Sequence, residues 1–146
     1  MKVYITRDLK QDSPLLLQLQ AAGYLVFGQS LIQIRALPVK ELPHTDWLFF
    51  YSKNGVTALL DQLTDLSVLQ AYQMAAFGSA TAQLLQERGV DLDFVGNGKP
   101  DQVPAEFQKI VHTQTVCFIQ GTSSRATVQK AIGAAIDFEE CIVNFY

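Results

Sequence analysis

Asp46-Trp47-Leu48-Phe49-Phe50-Tyr51-Ser52-Lys53-Asn54-Gly55-Val56 is the stretch on which the fold turns. From Trp47 to Tyr51 it is apolar without alternation, the pattern of a strand covered on both faces. Ser52 then stands where a helix cap should stand, and Val56, Leu59 and Leu60 follow at helical spacing. A buried strand that passes into a helix through a hydroxyl-bearing turn is the unit of a parallel sheet.

Working outward, the unit recurs. Strands are expected at 3–6, 24–27, 31–36, 47–51, 73–77, 92–95, 115–119 and 140–145, with helices at 13–22, 53–63, 79–88, 103–112 and 123–135. Asp12 or Ser13 ahead of Pro14 makes one helix start, and Ser52, Ser79 and Ser123 stand at three others. Gly23 and Gly89 punctuate helix ends. Pro38 and Pro43 bracket a short stretch that divides a smaller front part from a larger back part, and a hinge is expected there. From Asp46 onward five strands and four helices alternate, a flavodoxin-like set complete in itself. Residues 1–36 supply too little to cover both faces of a parallel sheet, so the front part reads as unfinished.

Composition supports a packed domain. Of 146 residues, 49% are hydrophobic and only 17% charged, which excludes a disordered chain. A net charge of −3 and a pI near 5.2, with no basic stripe, argue against nucleic acid or an anionic membrane as partner. No run reaches the length of a membrane span, and the chain begins on a strand rather than a signal core, so a cytoplasmic protein is expected. Cys117 and Cys141 sit in apolar runs as buried thiols, and two histidines, His44 and His112, are too few for a metal centre.

Ligands of open α/β sheets bind at the carboxyl ends of the strands, where helix N-termini favour anions. Four turns reach such an edge: Thr6-Arg7, Tyr51-Ser52-Lys53-Asn54, Gly78-Ser79-Ala80-Thr81 and Gly121-Thr122-Ser123-Ser124-Arg125. Each alone is what an ordinary helix cap looks like. Together the hydroxyls and Arg125 form a polar shelf for a carboxylate or phosphate. Dinucleotide and P-loop glycine motifs are absent, Gly96-Asn97-Gly98-Lys99-Pro100 reads as a turn, and no nucleophile elbow occurs. Asp46 opens its strand and so faces the wrong edge for a phosphorelay site.

The ordered set of turns resembles one family. Val3-Tyr4-Ile5-Thr6-Arg7, Gly23-Tyr24, the stretch from Asp46 to Val56, Ala76-Phe77-Gly78-Ser79-Ala80-Thr81-Ala82, Phe118-Ile119-Gln120-Gly121 with Ser124-Arg125, and Ile142-Val143-Asn144-Phe145-Tyr146 are similar, in order and spacing, to uroporphyrinogen-III synthases. Asp8, Tyr51 and Gln120 depart from it, standing where the family usually has proline, threonine and often arginine.

That resemblance implies two α/β domains joined by two strands: residues 1–36 begin the first, 37–140 form the second, and 141–146 return as a linker strand. Family members continue past the closing tyrosine, so either a longer protein or a truncated form is expected. The implied reaction closes hydroxymethylbilane to uroporphyrinogen III with inversion of the last pyrrole ring, needing no metal or organic cofactor, in a monomer. Tyr146 is the implied proton donor. Thr6, Arg7, Ser52, Lys53, Asn54, Gly78, Ser79, Thr81, Gly121, Thr122, Ser123 and Arg125 are the substrate candidates. The competing expectation is a non-catalytic module that binds anions or a partner.

Overall fold

The computed structural model describes residues 1–31, 34–121, 124–132 and 138–142. It divides into two compact units, Met1–Ile34 and Arg35–Phe145.

In the first unit β1 (Lys2–Ile5) and β2 (Leu25–Gly28) pair in parallel, joined through α1 (Pro14–Ala21). Pro14 opens α1, where its missing N–H costs nothing, and Gly23 takes φ +81° after its end. None of the residues of α1 is buried. Tyr4 and Phe27 face each other across the strand pair, rings stacked at 5.1 Å, with Tyr4 71% exposed.

The second unit is a five-stranded sheet of β3 (Trp47–Phe50), β4 (Gln73–Ala76), β5 (Phe94–Val95), β6 (Val116–Gln120) and β7 (Phe138–Ile142), in the order β5-β4-β3-β6-β7 and parallel throughout. Four helices connect the strands: α2 (Lys53–Leu60), α3 (Ser79–Glu87), α4 (Val103–Val111) and α5 (Thr127–Ile132). The apolar run of β3 is explained by the pleat, since successive side chains enter opposite faces. Leu48 and Phe50 join Cys117 and Ile119 of β6 under α2 and α3, while Trp47 and Phe49 join Val116 and Phe118 against α4 and α5. Both clusters are closed to solvent, and each large side chain so buried contributes about 1.5–3 kcal/mol. Parallel strands with helices were the expectation, and the structure has them.

Local expectations differ in several places. Residues 31 and 34–36 are not strand: Leu31 is 74% and Ile34 45% exposed, with no partner strand among the described residues. Gly78, not Ser79, is the N-cap of α3, and Ser79 is its first helical residue. The last strand includes Phe138–Ile142, so it begins before 140, and the expected continuation over 143–145 lies outside the described residues. A 3-10 helix over Leu66–Ala71 was not foreseen; Asp65 starts it by accepting from the N–H and hydroxyl of Ser67 at 2.8 and 2.6 Å. The stretch between Pro38 and Pro43, read as a hinge, is fastened to the second unit. Gln62 accepts from the Val39 N–H and donates to the Leu37 carbonyl, both at 3.0 Å, and the Tyr72 hydroxyl donates to the Pro43 carbonyl.

Candidate functional site

The two ends of the five-stranded sheet use their polar groups differently. At the amino end they are spent on one another. Trp47 Nε1 donates to Gln114 Oε1, and Gln114 Nε2 to Gln73 Oε1, each at 2.9 Å, tying three neighbouring strands together. Asp46 accepts from the Thr115 backbone N–H at 2.6 Å and from its hydroxyl at 2.8 Å, bonds that hold its carboxyl below the usual range. Asp46 therefore closes an edge of the sheet, as its place at the strand start implied. A cavity of about 420 Å³ opens at this same end between Leu69, Tyr72, Met74 and Asp93, away from every hydroxyl turn.

At the carboxyl end the turns after β3, β4 and β6 come together on one edge. The chain runs from β3 to β4 on one side and from β6 to β7 on the other, so the crevice where connections diverge lies above the β3–β6 pair. Ser52 caps α2, its Oγ accepting from the Gly55 N–H at 3.3 Å. That cap leaves Lys53 and Asn54 exposed on the first turn. Gly55 lets α2 approach the sheet, because a Cβ there would stand 3.3 Å from the Ile119 carbonyl.

After β4, Gly78 caps α3 through its backbone alone, and Ser79 is exposed. Thr81 is buried, at 6% exposure, so its side chain belongs to the packing of α3 rather than to the surface of the shelf. Gly78 has a packing reason of its own: a Cβ would meet Gly98 Cα at 3.1 Å. Gly98, at φ +76°, turns the 96–100 loop back over it, and Asn97 holds that loop by donating to Gln102 and Glu106 and accepting from the Lys99 N–H.

After β6, Gly121 and Ser124 are half-buried. Arg125 is exposed and lines an open groove of about 610 Å³ with Asp101, Pro104 and Lys130. Ser124 Oγ accepts from the Ala126 N–H at 3.2 Å. Thr122, Ser123 and Tyr146 lie outside the described residues. Thr6 and Arg7 are exposed just after β1, in the first unit.

Three residues not foreseen as a group organise this edge. The hydroxyl of Tyr51 accepts from the backbone N–H groups of Val128 and Gln129 at 3.0 and 3.1 Å, capping the first turn of α5 from a different strand. Burial pushes its phenol up to about 12, with the two N–H bonds pulling the other way. Beside it, Gln120 Nε2 donates to Gln129 Oε1 at 2.8 Å, and both glutamines are buried. The signal in the sequence was a glutamine closing an otherwise apolar strand, and a tyrosine where the family pattern has a smaller hydroxyl. Among the described residues no three His, Cys, Asp or Glu side chains gather as a metal site, and no helix is long and apolar enough to cross a membrane.

Comparison with known proteins agrees with the fold. The chain is 28% identical over 144 residues to a uroporphyrinogen-III synthase of Chlorobaculum parvum, an alignment covering 89% of this chain and 57% of that one. Its fold matches crystal structures of uroporphyrinogen III synthase from Thermus thermophilus (TM-score 0.60, 15% identity, 99% of this chain and 62% of that one) and of the Helicobacter pylori 26695 enzyme (TM-score 0.67, 20% identity, 97% and 59%). The chain thus spans about three fifths of the length of these relatives. A family model described as uroporphyrinogen-III synthase HemD matches residues 13–144, and with nearly the whole chain inside that match, the protein belongs to the uroporphyrinogen-III synthase family.

Proposed function

We propose that this sequence carries the second, flavodoxin-like domain and the opening of the first domain of an enzyme that cyclises hydroxymethylbilane to uroporphyrinogen III, inverting the last pyrrole ring. The observation that carries the reading is the family match over residues 13–144, in which the hydroxyl-bearing turns after β3, β4 and β6 share one sheet edge. On this reading residues 1–36 belong to the first domain, 37–140 to the second and 141–146 to the returning linker. The faces of the strand pair β1–β2, bare of buried residues, are what a domain completed by further chain would cover.

Chemically, the C–O bond of the hydroxymethyl group breaks, the hydroxyl leaves with a proton as water, and the resulting cation is attacked by the far ring to give a spiro intermediate. One C–C bond of that intermediate breaks and re-forms at the ring's other α-carbon, which inverts the ring, and a ring proton is lost to restore the pyrrole. The pyrroles stabilise the cation themselves, so the protein's contribution is to hold a flexible octacarboxylate in one folded shape. Helix N-termini supply positive potential for carboxylates despite a net charge of −3. Ser52, Lys53, Asn54, Ser79, Gly121, Ser124 and Arg125 present that edge here, with Tyr146 proposed as the group assisting departure of the hydroxyl. Thr6 and Arg7 are proposed contacts from the first domain, and Thr122 and Ser123 complete the shelf. The proposal retains the expectations of a monomer acting in the cytoplasm without metal or organic cofactor.

The test is the isomer ratio of the cyclic product. Spontaneous closure gives the non-inverted isomer, so the full-length protein is expected to give the inverted one from hydroxymethylbilane. Tyr146→Phe in that protein should slow single turnover by about 10²–10⁴ with little change in affinity. Only non-inverted product from the full-length protein would leave the second reading, a non-catalytic anion-binding or interaction module.

A further inference from the structure

Tyr51 and Gln120 stand next to each other at the carboxyl end of the two central strands. Phe50 pairs with Ile119, and the Tyr51 N–H continues the ladder to the Ile119 carbonyl at 3.3 Å, which places Tyr51 opposite Gln120. The pleat turns both side chains to the face of α4 and α5. There Tyr51 packs 5.9 Å from the ring of Phe118, and Gln120 meets Gln129.

The two side chains carry complementary unused capacity. Tyr51 Oη accepts two N–H bonds, and its own proton has no acceptor among the described residues. Gln120 is 95% buried, and while its amide nitrogen donates to Gln129, its Oε1 has no donor among them. A buried acceptor left without a donor costs about 1–3 kcal/mol. One donor without an acceptor and one acceptor without a donor, on adjacent strands, define what fits between them: a group that accepts once and donates once.

We propose that Tyr51 and Gln120 hold a single water molecule beneath the first turn of α5, accepting from the Tyr51 hydroxyl and donating to Gln120 Oε1. A carboxylate cannot donate to Gln120, and an ammonium cannot accept from Tyr51, so the pair selects a neutral oxygen over either ion. A phenol that stays protonated keeps its role as donor. Such bridges are nearly as strong as direct hydrogen bonds and conserve the polar accounting of a closed interior. The water ties strand ends, phenol and α5 into one network, and through α5 it fixes the turn that presents Ser124 and Arg125.

A crystal structure of this chain tests the site directly. The expected result is one ordered oxygen within about 3.2 Å of both Tyr51 Oη and Gln120 Oε1. A direct bond between the two side chains, or an amide turned so that its nitrogen faces the phenol, overturns the proposal. Tyr51→Phe, Gln120→Met and the double variant supply the energetic arm through their thermal midpoints. A shared water predicts that the double variant loses clearly less than the two single losses added together, because the second change removes a bridge already broken. A double loss equal to the sum overturns the link, and the crystallographic arm needs no variant to fold.

Discussion

Units one and two are built from the same strand-helix-strand figure, yet among the described residues only the second has an interior. In β1 the burial alternates between exposed and half-buried, whereas every residue of β3 is closed to solvent. Both pairs are parallel and in regular register. What separates them is layering. β3 has a strand on each side and helices on both faces, while β1 among the described residues has one partner strand. Local sequence makes a strand, but burial is a property of what lies on either side of it.

Six substitutions test that contrast. The largest effect belongs to Phe49→Ala, which removes a ring packed at 4.9 Å from Phe107 and 5.5 Å from Phe118. It should cost the second unit about 3–5 kcal/mol in denaturant unfolding, whereas Phe27→Ala in the first unit, 43% exposed, should leave that transition unmoved. Equal losses would mean that the two units unfold as one.

Gly78→Val comes next, at about 1–3 kcal/mol, because its branched side chain would press on the Gly98 backbone. The measurement separates packing from a ligand cradle: lowered thermal midpoint with unchanged binding of the linear tetrapyrrole makes Gly78 a packing residue. Lost binding at an unchanged midpoint makes it a contact.

Tyr51→Phe should cost about 1 kcal/mol at neutral pH as a lost helix cap. Its pH signature is more telling. Burial raises the phenol from its ordinary value of 10 to about 12 in the folded state, so the protonated form is favoured by folding. The contribution is complete below pH 10 and is lost as pH climbs towards 12. Wild-type stability should fall across that window, and Tyr51→Phe should flatten the fall, with Tyr72, also raised by burial, accounting for part of what remains.

The smallest effect is also the cleanest comparison. Gly23 and Gly89 end α1 and α3 at φ +81° and +77°, and a Cβ at either would meet nothing within 4 Å. Replacing either by alanine imposes the same left-handed strain of about 1 kcal/mol. Gly89→Ala should shift unfolding of the second unit by that amount. Gly23→Ala should not shift it, and any transfer between the two would be read at once in the midpoint.

Much of this architecture was legible because the second unit obeys local rules: an unbroken apolar strand, a serine cap at Ser52, and Gly89 after the end of α3. Where legibility failed, the deciding partner was distant in sequence. Residues 31–36 have strand composition, but nothing in the described structure pairs with Leu31 or Ile34, and composition does not reveal a missing neighbour. The shelf was readable as hydroxyl turns. Its internal fastening was not, since Tyr51 meets Val128 and Gln129 across 77 and 78 residues. A helix's first turn offers both outward and inward positions, and the burial of Thr81, which comes from packing, is not visible in the residue itself.

The position of β3 at the centre of the sheet sets an order of assembly. Its neighbours arrive on opposite schedules: β4 follows within about one helix, but the Asp46 N–H meets the Thr115 carbonyl only after 69 further residues. A chain emerging from the ribosome can therefore pair β3, β4 and β5 while one edge of β3 stays open and Trp47 and Phe49 wait for α4 and β6. Closing such a long loop is slow, and an unpaired apolar edge is the surface that recruits chaperones or sticks to another nascent chain. The same strand that gives the finished domain its core is, during synthesis, its greatest exposure.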